Sequence, residues 1–402
     1  MTSGALRTPL LSTAVGELPK RGAELATPQA IEDAVISWRE GTIEYVGAAS
    51  GYEGSEPEQV DGAVVSGFVD CHTHLPFFGW RADEYAARLA GRSYRDLHGE
   101  GGIFRSARLL ADASDDEVID FCVGLAREAL SHGTTAMELK TGYGLSVEAE
   151  LRQARLARTL ADRVPQTCTV TLLACHAIPA GVDRSEWLRL ACEELIPAAA
   201  GEGLADAVDI YVEDIAFSVA DLRALSGAAS GAGLPIRCHV EQLSNLGGAR
   251  AAADLGAISV DHLNHLDADA VAHLGKSRSV CVLLPASTFI LGSAPPPARA
   301  LIDAGAPVAI ASDFNPGTSP VVSMPEVIAF AVRLYGLSAA ESLVAATANA
   351  ACVLGLERSL GTLEAGKRAD LLVLDGPIDA IPYRPGHNPV KATYIAGVPQ
   401  DR

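Results

Sequence analysis

The chain has 402 residues, 49% hydrophobic and 20% charged, which is enough to bury a large core and fits a compact enzyme of one large domain plus a smaller one. Its formal charge of −19, from 31 Lys and Arg against 50 Asp and Glu, argues against a nucleic-acid partner, and an anionic small substrate would need a local cation. No apolar run is long enough to cross a bilayer, and the N-terminal stretch lacks the basic start and apolar core of a secretory signal, so a cytoplasmic protein with no membrane partner and reduced thiols is expected.

In chain order, residues 34–47 read as a hairpin about Glu40-Gly41. From residue 64 onward, short β-branched runs alternate with helical stretches. The runs are 64–74, 134–140, 169–176, 207–213, 235–239, 257–262, 279–285 and 307–313. Helices are expected over 115–132 after Ser114, 147–163 after Ser146, 185–202, 219–231, 247–255 and 267–274. Eight strands in βα alternation predict an α/β fold, a (β/α)8 TIM barrel, whose catalytic groups lie at the C-terminal strand ends. The long interval 75–133, with Gly99, Gly101 and Gly102, reads as an active-site loop. Strands are also expected at 369–375 and 392–398. Both chain ends, 1–63 and 355–402, would then form a small β-sandwich domain beside a barrel of 64–354.

Each of the polar residues that matter closes one of these runs. His72 and His74 are one residue apart, and strand alternation puts them on one face. His176, His239, His262 and Asp313 end later runs. His72, His74, His239 and Asp313 are the expected ligands of a single metal ion, which lowers the pKa of bound water towards ~7. Asp313 can also carry a proton, His262 can orient or shuttle, and Gln242, three residues after His239, can donate to a carbonyl oxygen. Arg81 can pair with a carboxylate, the Tyr143 hydroxyl can bond substrate, and Asn315, Gly317 and Thr318 lie in a loop beyond Asp313. Cys71, Cys175 and Cys238 each precede a histidine, and alternation should turn their sulfurs away from the site to pack between strand and helix.

The segments CHTHL, KTGYGL, CHAIP, HVEQLSNLGG, VDHL and SDFNPGTSP, in this order and spacing, resemble those of the imidazolonepropionases, in the amidohydrolase superfamily. The resemblance spans almost the whole chain and implies a metal-bearing barrel with a β-sandwich. It implies one divalent or trivalent ion, zinc or iron, at His72, His74, His239 and Asp313. The reaction it implies is hydrolysis of the ring amide of 4-imidazolone-5-propanoate to N-formimino-L-glutamate in histidine degradation. By motif position, Arg81, Tyr94, Tyr143, His176, Gln242, Asn315, Gly317 and Thr318 fall on substrate contacts.

The chain departs from the family at Leu75-Pro-Phe-Phe-Gly-Trp80, which adds bulk beside Arg81, and at Val212-Glu-Asp-Ile215 and His239-Val-Glu-Gln242. These departures leave open a relative that opens another small cyclic amide or deaminates a heterocycle. A noncatalytic metal-bearing barrel is the remaining alternative. The expected partner is a small anionic heterocycle, and a homodimer stays open.

Overall fold

The computed structural model describes residues 3–92 and 101–401. Strands β1 (Ser3–Thr13), β2 (Gln29–Arg39), β3 (Thr42–Ala48), β4 (Glu58–Gln59) and β5 (Val64–Ser66) come first. Then follow β6 (Phe68–Asp70), β7 (Thr134–Lys140), β8 (Thr167–Cys175), β9 (Ala207–Val212), β10 (Ile236–Val240), β11 (Ser259–His262), β12 (Val280–Leu283) and β13 (Val308–Ile310). The last three are β14 (Leu371–Leu374), β15 (Val390–Ile395) and β16 (Val398–Pro399).

Strands β6 to β13 pair side by side in chain order, all parallel. Beyond the outer strands Thr73 bridges Phe314, and the His74 N–H donates to the Phe314 carbonyl at 2.9 Å, so the sheet is a nearly closed (β/α)8 barrel. The strand runs are apolar on both faces because both are covered. On β12, Cys281 and Leu283 pack outward with Leu301 and Ile302 of the helix Ala298–Asp303. Val280 and Val282 point inward with Val69, Ala136 and Ala309. Helix Ala348–Leu354 seals the barrel floor, adding Ala350, Ala351 and Val353 to that interior cluster.

The two chain ends share a mixed sheet, in the order β16-β15-β14-β5-β1-β2-β3 with β4 beside β1. It folds over its own core: Trp38 of β2 meets Tyr394 of β15 edge-on at 5.6 Å, and Leu6, Ile36, Leu371 and Val373 pack in the same cluster. Glu40 and Gly41, with φ of 51° and 77°, make the hairpin turn between β2 and β3.

Four expectations change. The single strand over 64–74 is two strands in two sheets. A Cβ on Gly67 would lie 2.1 Å from the Thr135 hydroxyl oxygen, so the crossing between sheets needs the smallest residue. His72 and His74 therefore follow the strand rather than end it. The interval 75–133 holds helices Ala82–Leu89 and Gly102–Asp112 as well as Asp115–Ser131. The helix over 185–202 is interrupted by a π-helical turn, Ala191–Leu195. Cys175 and Cys238 pack on the helical side, but Cys71, two residues after the inward-pointing Val69, joins the barrel-interior cluster.

Candidate active site at the barrel mouth

The sequence-distant histidines converge at the C-terminal ends of the strands. The ring of His72 lies 5.3 Å from His74, 4.5 Å from His239 and 5.6 Å from His262. Asp313 Oδ1 is 3.2 Å from His74 Nε2 and 3.6 Å from His72 Nε2. Among the described residues, two overlapping groups could hold a metal ion: His72, His239 and His262, and His72, His74 and Asp313. The four residues singled out as ligands fall within their union. The geometry brings His262 equally close.

Two carboxylates orient the rings. His72 Nδ1 donates to Asp261 Oδ2 at 2.7 Å and His239 Nδ1 to Asp209 Oδ1 at 3.1 Å. Each bond leaves Nε2 as the lone-pair nitrogen, and neither Nε2, nor His74 Nδ1, has a hydrogen-bond partner though all three are buried. Buried, unsatisfied imidazole nitrogens beside a carboxylate suit a cation. The buried charge agrees: among the described residues, Glu138, Asp209, Asp261 and Asp313 outnumber Lys140 and Arg237, the cations of the barrel interior. Burial pushes Asp70 up to about 6. Burial also pushes Asp313 up, but the His74 hydrogen bond and nearby His262 outweigh it and hold the carboxyl below its usual range. Burial pushes His262 down to about 3 and His176 well down, so both rings are neutral. Glu241, His262, Leu263 and Asp313 adopt positive φ (50°, 81°, 67° and 55°), strain concentrated where the strands turn over into the mouth.

His74, Arg81, Tyr143, His176, His239, Gln242, His262, Asp313, Asn315 and Thr318 line one small pocket, a cavity of about 30 Å³. Arg81 is 3% exposed, and its Nε and Nη1 have no hydrogen-bond partner among the described residues; Glu84 lies 3.8 Å from Nε. His176 stacks on His74 at 5.3 Å and is held through Nδ1 by the Gly142 carbonyl.

Asn315 Oδ1 accepts from the N–H groups of Gly317 and Thr318 and from the Thr318 hydroxyl, so its side chain chiefly builds the loop. Gly317 is not in the pocket wall. A Cβ there would lie 2.0 Å from Arg81 Nη2, so its part is to make room for the guanidinium. Tyr94 lies outside the described residues. Trp80 lines a separate apolar cavity with Tyr85 and Pro316, and Phe78 packs on Phe121, so neither bulky departure narrows the pocket.

Ile103 and Tyr211 line the pocket without having been singled out. Nor were the residues that brace it. Glu150 accepts the N–H groups of Gly142, Gly144 and Leu145, and Gln153 accepts that of Tyr143, fixing the KTGYGL turn from the helix Val147–Arg163. Glu213 and Glu241 do the same around Gln242, through Leu243, Ser244, Gly248 and Ala249. A signal existed for Glu138, Lys140, Asp209, Arg237 and Asp261: charges inside apolar strand runs must be buried and paired. The bracing glutamates carry no such mark.

The amidohydrolase family matches residues 63–399. An imidazolonepropionase of Rhizorhabdus wittichii is 42% identical over 394 residues, covering 94% of this chain and 98% of the relative. One of Caulobacter vibrioides is 43% identical over 378 residues, covering 92% and 94%. Among solved structures, a guanine deaminase of C. acetobutylicum with bound guanine superposes with TM-score 0.73 at 16% identity, covering 99% of each chain. An adenosine deaminase of Xanthomonas campestris with bound zinc gives 0.70 at 18%, covering 98% and 92%. At that identity the two structures share the fold alone. The sequence matches, over nearly the full length of both partners, reach further: the chain belongs to the amidohydrolase family, in the group of its imidazolonepropionase relatives.

Proposed function

We propose that the chain hydrolyses the ring amide of 4-imidazolone-5-propanoate to N-formimino-L-glutamate. The observation that carries this reading is Arg81, a buried guanidinium with unpartnered nitrogens in the wall of a small pocket that also holds the His/Asp cluster. A propanoate would satisfy it bidentately. The relatives' names and the ordered motifs support the same substrate. The pocket also speaks against a displaced specificity, since Phe78 and Trp80 stand outside it.

His72, His74, His239 and Asp313 would hold one ion, zinc or iron, with His262 beside them. When bound, such an ion polarises a carbonyl and acidifies water. Asp313 takes the proton of the attacking water and later delivers it to the ring nitrogen as the carbonyl carbon–nitrogen bond breaks. Gln242 donates its amide to the carbonyl oxygen, where negative charge develops. His262, neutral in its buried site, orients the water by accepting its hydrogen. Tyr143 and His176 wall the ring, and Arg81 holds the carboxylate. A role in histidine degradation, in the cytoplasm, goes with this reading.

The test is a substrate panel followed by loss of imidazolone absorbance, with hydantoin-like amides and heterocyclic amines as competitors. Preferred turnover of the imidazolone acid, abolished by chelation and restored by metal, is the expected result. Faster opening of a neutral cyclic amide, or release of ammonia from an amine, overturns the substrate assignment.

A further inference from the structure

The strand β7 carries two charged residues on its inward face, Glu138 and Lys140, both fully buried. Lys140 Nζ donates to Asp209 Oδ2 at 2.6 Å and Glu138 Oε1 at 3.0 Å. Glu138 in turn accepts from Arg237 and Thr171. Asp209 is the group that holds His239 Nδ1. The Lys140 backbone N–H donates to the carbonyl of Thr73, the residue between His72 and His74. One residue thus ties the His72–His74 segment, by its main chain, to the orientation of His239, by its side chain.

We propose that Lys140 is a positioning residue for the metal-ligand set, acting on His239 through Asp209. Its ammonium fixes the rotamer of Asp209, so that one carboxylate oxygen stays aimed at Nδ1 and the ring presents Nε2 to the pocket. Without the ammonium, Asp209 loses its cation while Glu138 keeps Arg237, and the uncompensated Asp209 carboxylate swings off the ring. The inference rests on reading His239 as a ligand, and not on the identity of the substrate.

The experiment measures zinc affinity of the apo protein by competition with a chromophoric chelator, with no substrate present. The variants are Lys140→Met, Asp209→Asn and the two combined, with His239→Ala as the control. Lys140→Met should weaken zinc binding about 10–100-fold, the range for groups that orient a ligand. The double variant should bind no more weakly than Asp209→Asn alone, because both act along one path. Lys140→Met can fail to fold, since it leaves the buried Asp209 carboxylate without its cation. The double variant removes that carboxylate, and its comparison with Asp209→Asn still decides. A double variant weaker than Asp209→Asn by a further tenfold or more overturns the proposal, as does a Lys140→Met protein with wild-type affinity. Unchanged zinc binding in His239→Ala overturns the ligand reading itself, which separates the two failures.

Discussion

Gly317→Ala adds one carbon at the closest approach in the site. Its ideal position is 2.0 Å from Arg81 Nη2, 2.3 Å from Nε and 2.4 Å from Cζ. Ordinary contact is ~3.5 Å, so the guanidinium must retreat by roughly 1.5 Å. Backbone cannot give way cheaply, because the Gly317 N–H is bound by Asn315 and the Arg81 N–H by the Pro316 carbonyl. A retreat of that size takes a charge-assisted hydrogen bond of ~2.8 Å out of range. Removing Arg81 altogether should cost ~2–5 kcal/mol of carboxylate binding, which is roughly 30-fold to several thousand-fold in KM. Gly317→Ala should reach about 10–100-fold, with kcat changed far less, since the contact is made equally before and during reaction. Steady-state kinetics on imidazolone propanoate and on its ester provide the assay: the ester should hardly distinguish wild type from either variant. The double variant with Arg81→Ala should be no worse than Arg81→Ala alone. An unchanged KM in Gly317→Ala, or additive losses in the double variant, refutes the view that Gly317 works by making room for Arg81.

His239→Ala should lose bound metal and turnover together, measured by elemental analysis and kinetics; one full equivalent of metal with normal turnover removes His239 from the ligand set. Asp313→Asn, even when metal is retained, should lower kcat by on the order of 10²–10⁴-fold, and more than a tenth of wild-type kcat excludes the proton-transfer role. Trp80→Ala should leave KM within about twofold, because Trp80 lines the neighbouring cavity; a larger rise means that cavity communicates with substrate. Burial holds His132 below its ordinary value at the end of the helix Asp115–Ser131, so the unfolded chain takes up the proton first and stability falls as pH drops below ~6.5. His132→Gln should therefore lose less melting temperature than wild type between about pH 7.5 and 5.5, whereas parallel losses exclude His132 as the source.

The strand runs and the capped helices were legible from residue patterns because they depend on local physics. Ser114 and Ser146 do cap their helices, and Glu40-Gly41 does turn the hairpin. The polar residues ending apolar runs were legible for the same reason, since a barrel exposes functional groups only where its strands stop. Which nitrogen of each ring faces the pocket was not legible. Asp209 and Asp261 decide it across 30 and 189 residues of chain, and no local pattern encodes a partner so remote. The sequence marked Gly317 and Asn315 as loop residues beside the site, but only the approach of Arg81 made Gly317 a spacer, and only the N–H groups of Gly317 and Thr318 made Asn315 a brace. The break at Gly67 was hidden because a buried strand of either sheet reads as the same apolar run. Residue patterns determined what chemistry the chain carries and where along it; tertiary closure of the barrel decided which groups meet, because the distances that matter are set by strand order and register rather than by spacing.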